Sequence, residues 1–406
     1  MNVLVLNCGS SSLKYRLLAM PEARELAGGE AQRVGPRTAE PARIFHNQDG
    51  KKTVHTAEMP DHATAFDEVL KLLAQTGAPK LDALGHRLVH GGARFAGSAI
   101  VDAAALRDLQ AIQKLAPLHN PPATALIAAC RERYPDLPQV AVFDTAYHAS
   151  IPDYAATYAL PAKLTAKLGI RKYGFHGTSH EFVVEEAAKF LGRPLDQFSA
   201  VSCHLGSGGA SLCAVVNGRS VDNTMGFSPL QGLVMSTRCG DLDPSAALRL
   251  LIAAQGNPGA VEKTLNKTSG VLGLSGVSAD IRDVLAATAG GAAADARLQA
   301  TSQVYLWRLR KYLGAYLATV GRADAIIFTD TIGETLPAVR AAVCADMECF
   351  GVRMDFERNA AGLPLPCDVA TADSPTRILV VATNEELAIA RRTYATLLPD
   401  EKQTAA

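Results

Sequence analysis

The chain has 406 residues, 48% of them hydrophobic and 20% charged, and its 40 basic and 40 acidic side chains cancel to a formal net charge of 0. That length exceeds one compact core and makes two domains the starting expectation, with the composition of a soluble globular protein. The balanced charge recommends neither nucleic acid nor an anionic membrane as a partner.

The elements follow in chain order. Val3 to Leu6 predicts a buried strand that runs into Cys8-Gly9-Ser10-Ser11-Ser12 and resumes with Lys14 and alternating apolar residues. This strand–loop–strand unit gathers backbone N–H groups, three hydroxyls and one ammonium, which suits phosphate oxygens; an ordinary hairpin turn uses the same residues. The opening apolar run has neither the basic flank of a signal peptide nor the length of a membrane span. Glu22 to His55 is polar and irregular and is placed as edge strands or loops. Asp61 caps a helix with Phe66, Val69, Leu70 and Leu73 on one face and Gly77 past its end. Leu81 to Val89 reads as a strand carrying Arg87, Pro121 and Pro122 open a helix over Ala123 to Arg131, and Gln139 to Phe143 is a buried strand ending at Asp144.

A second hairpin follows further on, with strands at Ala200 to Cys203 and Leu212 to Val216 around the loop Gly206-Ser207-Gly208-Gly209. Neither loop is a Walker A loop; the second nearly matches G-x-G-x-x-G, but Ser211 stands at the third glycine and a strand follows. Two such hairpins at one large spacing predict a duplicated architecture, each half presenting a loop to one cleft. Leu306, Leu309, Leu313, Tyr316, Leu317 and Val320 stripe a long helix. Ala325 to Phe328 and Ile378 to Ala382 read as buried strands running into the polar turns Thr329-Asp330-Thr331 and Thr383-Asn384-Glu385. Ala286 to Ala296 is Ala/Gly-rich but too short for a disordered linker, and the tail after Pro399 reads as frayed. Eight scattered cysteines without a C-x-x-C pair read as reduced thiols of a cytoplasmic protein.

Ligands of open α/β sheets bind beyond the carboxyl ends of strands, where this reading puts Asn7, Asp144, His204, Thr329 and Glu385. Three further segments are dense in polar groups: GHRLVHGG with His86, Arg87 and His90; KYGFHGTSH with His176 and His180; and MGFSPLQGLVMSTRCGDLDP with Arg238, Asp241 and Asp243. Singly, each arginine or histidine reads as a structural residue; their joint occurrence points to chemistry.

With NCGSSSLK, APLHNP, VFDTAYH, CHLGSGG and TNEELAIAR, these segments make the chain resemble the acetate kinase family of the sugar kinase/hsp70/actin superfamily, from Met1 to about Leu397. The resemblance implies an α/β fold of two actin-like (ribonuclease H-like) domains around a cleft. Residues 1–148, completed by a C-terminal helix over 385–398, would form the acetate side, and residues 149–384 the nucleotide side. It implies reversible phosphoryl transfer from ATP to acetate, with Mg²⁺ (Mn²⁺ as a substitute) and a homodimeric assembly. By matching position, Arg87, Asp144, His176 and Arg238 would be catalytic. Arg87, Val89, Leu118, Phe175 and Pro229 would bind the acyl substrate, and Asn7 and Glu385 the metal. The nucleotide would meet Ser12, Lys14, His204, Leu205, Gly206, Ser207, Gly208, Asp280, Ile281, Arg282, Thr331, Ile332, Gly333, Glu334 and Thr335. The chain departs from the family at Ser207, Asp330, Thr331 and Thr335. The acceptor half therefore matches the family, while the donor half leaves pyrophosphate as an alternative to ATP. A non-catalytic actin-like nucleotide switch is the alternative of another class, and an acetate-side arginine pair argues against it.

Overall fold

The computed structural model describes residues 1–398 apart from Ser10, Arg37, Leu118 and 289–294. The chain divides into two compact units, Met1–Ala146 with the C-terminal segment from Asn384, and Tyr147–Thr383.

The first unit is built on an eight-stranded sheet. Its strands are β1 (Asn2–Cys8), β2 (Ser12–Ala19), β3 (Arg24–Gln32), β4 (Arg43–Gln48), β5 (Lys51–Thr56), β6 (Ala83–Leu88), β7 (Ala99–Ile100) and β8 (Gln139–Phe143), in the order β5-β4-β3-β2-β1-β6-β8-β7. β1 pairs antiparallel with β2 and parallel with β6, and β6 parallel with β8. Successive residues of a strand face opposite ways, so β1 feeds two cores. Leu4 and Leu6 join Leu13, Tyr15, Phe66 and Val69 beneath helix His62–Gln75. Val3 and Val5 join Ala83, Val140, Val142 and Ile389, so the C-terminal helix Glu385–Leu397 covers the other face. Asp61 caps its helix as expected, accepting from the Thr64 N–H at 2.7 Å, and Gly77 follows its end with φ +73°.

The segment Glu22 to His55 is more regular than its composition suggests, since it supplies most of β3, β4 and β5. Only one face of these strands reaches the core, through Ala27, Ala31 and Ile44. At Gly29 even the smallest side chain would fail, because a Cβ there would lie 2.1 Å from the Phe45 carbonyl oxygen and 2.6 Å from the Tyr15 hydroxyl. That gap lets Tyr15 Oη reach His46 Nδ1 at 2.7 Å across the strand. The alternation that marks a strand is thereby erased at its centre.

The second unit repeats the plan. Its strands are β9 (Ala200–Leu205), β10 (Ala210–Val216), β11 (Arg219–Asn223), β12 (Ala325–Thr329), β13 (Cys367–Asp368) and β14 (Arg377–Val380), in the order β11-β10-β9-β12-β14-β13. As in the first sheet, an antiparallel meander (β11-β10-β9) is followed by two parallel strands, β12 and β14. The long helix runs from Ala296 to Val320 and buries Leu309, Leu313, Tyr316 and Leu317. Two expected turns are helix starts instead. β12 passes directly into the helix Asp330–Thr335, and Asn384 caps the C-terminal helix by accepting from the Leu387 N–H at 3.0 Å. Side-chain oxygens capture backbone N–H groups that a turn would leave to water: Asn384 acts as an N-cap, and Glu334 Oε1 reaches back to the Asp330 N–H at 2.8 Å.

Candidate active site

In the first unit the parallel neighbours β1, β6 and β8 end side by side, and the polar residues that close them converge. Arg87 donates from Nε to Asp144 Oδ1 at 3.1 Å and from Nη2 to Asp144 Oδ2 at 2.7 Å, the two-pronged geometry that fixes a guanidinium plane. Its Nη1 donates to Asn7 Oδ1 at 3.3 Å, and Nη2 lies 3.8 Å from Glu385 Oε2, at the start of the C-terminal helix. Asp144 is only 2% exposed. Burial alone would lower the Arg87 pKa, but the carboxylates of Asp144 and Glu385 outweigh it and raise it above the ordinary value. The loop after β6 is held by Asn120, which accepts from the His90 N–H and donates to the His90 carbonyl, and by Thr145, which accepts from the Gly91 N–H. Val89 is half-buried in that loop. Lys14 is exposed on β2 directly opposite Asn7. The Ser12 carbonyl closes the first hairpin by accepting from the Gly9 N–H at 2.9 Å. Leu118, expected in the acyl pocket, lies outside the described residues.

These groups suit a hard divalent cation. Asn7 and Glu385 offer oxygens on one guanidinium, and among the described residues no group of three His, Cys, Asp or Glu side chains forms a metal cage.

The second unit gathers histidines, serines and one arginine at the ends of β9 and β12. His176 has φ +57° and stands at the N-cap of helix Gly177–Phe190. Its Nδ1 is 3.0 Å from Ser211 Oγ, and that hydroxyl is also 2.8 Å from His180 Nε2. His180 Nδ1 is 2.9 Å from Ser202 Oγ. Complete burial, with His148 and His204 nearby, pushes the His180 pKa well below its ordinary value, so the ring is neutral. The His176 and His204 rings lie 4.2 Å apart, and His204 Nδ1 is 2.8 Å from Ser179 Oγ.

Arg238 donates to the carbonyls of Pro229 at 2.6 Å and Gly208 at 3.1 Å. Among the described residues it has no carboxylate partner, and burial lowers its pKa to about 10. The glycine loop, Arg238 and His176 meet at Gly209, where a Cβ would lie 2.4 Å from Arg238 Nη2 and 3.4 Å from His176 Cε1. Phe175 is buried, and its carbonyl lies 2.9 Å from His148 Nε2. Pro229 is half-buried and serves Arg238 through its carbonyl.

Of the expected nucleotide residues, Gly206, Ser207, Ile281 and Ile332 line one narrow crevice, with Met235 and Tyr305. Leu205 is fully buried at the end of β9, and Gly208 is exposed. Asp280 and Arg282 pair with each other, Nη2 to Oδ2 at 2.5 Å. Glu334 and Gly333 are engaged internally: Glu334 Oε1 accepts from the Asp330 and Thr383 N–H groups at 2.8 and 3.1 Å, and the Gly333 carbonyl accepts from Arg340 at 2.8 Å. Thr331 and Thr335 are tied together, the Thr335 hydroxyl donating to the Thr331 carbonyl at 2.6 Å. Sequence reasoning assigned no role to Ser179, Ser211, Asn120 or Thr145. Ser211 carried a signal as a hydroxyl where a phosphate loop expects glycine, and Asn120, Thr145 and Ser179 lay inside the motifs APLHNP, VFDTAYH and KYGFHGTSH without a role of their own. All eight cysteines are free, and no helix among the described residues is long and apolar enough to cross a membrane.

Two duplicated sheets whose strand ends gather an arginine–carboxylate cluster in one unit and a glycine loop in the other define a phosphotransferase-like α/β protein. The chain belongs to the acetokinase family, whose model matches residues 2–391. It is 44% identical to the acetate kinase of Heliobacterium modesticaldum, over 98% of this chain and 100% of that protein. It is 46% identical to that of Alkaliphilus metalliredigens, over 97% and 99%. Among solved structures it is similar to the acetate kinase of Porphyromonas gingivalis (TM-score 0.91, 37% identity, 98% of this chain and 100% of that one). A propionate kinase from Francisella tularensis is also similar (TM-score 0.89, 36% identity, 98% and 100%).

Proposed function

We propose that the protein catalyses reversible transfer of the γ-phosphoryl group of ATP to acetate, giving acetyl phosphate and ADP. The observation that carries this reading is the pair of half-buried arginines, one neutralised by carboxylates and one held on carbonyls beside a glycine loop. Phosphoryl transfer spreads negative charge over the equatorial oxygens, so catalysis is mainly positioning and electrostatics. Acetate is already ionised near neutral pH and needs no general base. Asp144 is therefore assigned an orienting role, holding Arg87 in one plane to clamp the carboxylate and the transferring group. Arg238 and His176 supply positive charge and a hydrogen bond to that group, with the His176 ring set by Ser211 and by its close contact with the His204 ring. Asn7 and Glu385 would hold Mg²⁺, or Mn²⁺ in its place, which supplies charge neutralisation of the phosphates. The nucleoside would lie along the residues bordering the narrow crevice, Gly206, Ser207, Ile281 and Ile332, and not within it, with Ser12, Lys14 and His204 nearer the phosphates. Val89, Phe175 and Pro229 would line the acyl pocket. An added methylene is worth about 1–3 kcal/mol in such a pocket, so propionate would be a weaker substrate.

A homodimer is proposed with this reading. It rests on the family resemblance; the helices Pro244–Ala253 and Ala296–Val320 expose Leu248, Ile252 and Trp307, the last 71% accessible. A cytoplasmic location is proposed from the free thiols. Trapping acyl phosphate as its hydroxamate, across ATP, other donors and short-chain acids, tests the function. Acetyl phosphate from ATP, Mg²⁺ and acetate is expected; none from any donor would overturn the reading.

A further inference from the structure

β9 and β12 pair parallel with Thr329 opposite His204, so the residue after Thr329 emerges beside the imidazole. That residue is Asp330, at φ +62°. Positive φ is uncommon outside glycine, and such backbone persists where the surroundings over-determine it, often at functional sites. Here the conformation turns the carboxylate across the glycine loop. A Cβ on Gly206 would lie 2.5 Å from Asp330 Oδ2, so Gly206 has no side chain because Asp330 fills that space. Both carboxylate oxygens are engaged. Oδ2 is 3.0 Å from His204 Nε2, and Oδ1 accepts from the Thr331 N–H at 2.6 Å and from its hydroxyl at 3.0 Å. Burial pushes the Asp330 pKa up, but the hydrogen bond and charge of His204 and the Thr331 donors outweigh it and hold the group well below the carboxylate range. It is an anion at neutral pH.

An imidazole N–H, a backbone N–H and a hydroxyl beside a glycine loop are the donors that a phosphate oxygen takes. In this chain a side-chain carboxylate already holds them. We infer that Asp330 is a specificity-determining residue, an internal anion that competes with the phosphates of the phosphoryl donor for His204 and for the Gly206–Gly209 loop. The inference rests on the phosphoryl-transfer reading above and concerns the strength with which the donor is held. A phosphate that reaches the loop must either displace the carboxylate from His204 or lie against a like charge, and both weaken binding in proportion to the phosphate's charge. ADP and pyrophosphate would therefore be weakened together, whatever the fit of the purine.

Calorimetric titration of the whole protein with ADP, and separately with pyrophosphate, tests this in the unchanged protein and in Asp330→Asn, which keeps the shape and an acceptor for Thr331 while removing the charge. Each anion is expected to bind the variant at least about tenfold more tightly at low salt, the least that removal of an adjacent like charge should give. The gain should shrink at high ionic strength, as screening replaces neutralisation. Asp330→Glu, which restores the charge, should return affinity toward that of the unchanged protein, a pattern that a purely structural role would not produce. If Asp330→Asn does not fold by circular dichroism, Asp330→Ala serves the same comparison. Equal or weaker binding by the folded, uncharged variants would overturn the inference. An unchanged protein that makes acetyl phosphate while its variant gains nothing keeps the proposed function and loses Asp330's role. Absence of ADP and pyrophosphate binding in every version would remove both.

Discussion

Arg87 and Arg238 are both half-buried, yet their surroundings move them in opposite directions. Arg87 sits in a cage of acids, and its pKa rises despite desolvation. Arg238 is held by carbonyl oxygens alone among the described residues, and desolvation lowers its pKa to about 10. The first unit thus presents a cation whose charge is balanced within the unit, suited to a carboxylate and a metal at once. The second presents positive charge without a counterion, suited to an incoming phosphoryl group. The difference teaches that similar duplicated sheets can be given opposite electrostatic tasks by what surrounds one arginine in each, carboxylates in the first unit and carbonyls in the second.

The largest expected effects break this contrast directly. Arg87→Ala and Arg238→Ala should each lower turnover at least about a thousandfold, the low end for an arginine on a transferring phosphoryl group, as measured by hydroxamate formation. Their stabilities should separate. Arg87→Ala removes the two-pronged ion pair on buried Asp144, a loss of about 3–5 kcal/mol. Arg238→Ala removes a cation that has no carboxylate partner among the described residues and takes the donor from the Pro229 carbonyl, while the Gly208 carbonyl still accepts from Ser236 Oγ, about 1–3 kcal/mol. Urea midpoints that fall equally would show that the two arginines are not in different electrostatic states.

A second contrast concerns acid. Buried His86, 2.8 Å from Gln139 Oε1, has its pKa lowered to about 4, desolvation outweighing that hydrogen bond. The unfolded chain takes up this proton near pH 6.5, while the folded chain resists until about 4. Stability from this residue is therefore complete above 6.5, falls as pH drops through that window and levels off below it, about 3 kcal/mol in all. His180 in the second unit is shifted in the same direction. Thermal midpoints between pH 6.5 and 4.5 should fall more steeply in the unchanged protein than in His86→Gln. Parallel slopes would show that His86 is not held neutral.

How far the sequence disclosed this arrangement differs between its parts. Asn7, Arg87 and Asp144 were legible because each is a polar residue at the end of an apolar strand run. The β3–β5 meander was not, because Gly28 and Gly29 interrupt its alternation and its outer face is polar. The hydroxyl network of Ser179, Ser202 and Ser211 was hidden for another reason. Small buried serines look like ordinary strand residues until the histidines they hold are brought to them by β9 and β10, whose register sets Ser211 opposite His204. Asp330 was visible as an added charge near the donor, but its pairing with His204 depends on the parallel register of β9 and β12.

Ser211 gives a smaller expected effect than either arginine. Its hydroxyl links a proposed catalytic ring, His176, to a neutral buried one, His180, and touches no substrate in the proposed mechanism. Ser211→Ala should slow turnover by roughly ten- to a hundredfold, the range for loss of an outer hydrogen-bond partner, with little change in KM for acetate. Ser211→Thr should recover part of it. A KM effect without a turnover effect would move Ser211 from positioning to substrate binding.

The smallest expected effect sharpens the donor side alone. Thr331 puts a branched side chain at a position where the chain departs from the pattern it resembles, and overpacking typically costs about 1–3 kcal/mol. In the structure, however, its hydroxyl donates to Asp330 and its carbonyl accepts from Thr335. The positive φ of the segment falls on Asp330, so Thr331 itself is unstrained. Thr331→Gly would remove the branch, but it would also remove one of the donors that hold the carboxylate over the loop and would add chain entropy at the start of a short helix. These contributions oppose one another, so the single substitution should improve the Michaelis constant for ATP by less than about tenfold, well below the gain from neutralising Asp330. The double variant Thr331→Gly with Asp330→Ala should exceed either single change for ATP and match Asp330→Ala for pyrophosphate, which has no purine to clash. A larger gain from Thr331→Gly than from Asp330→Asn would mean that shape, and not charge, limits the donor half of the site.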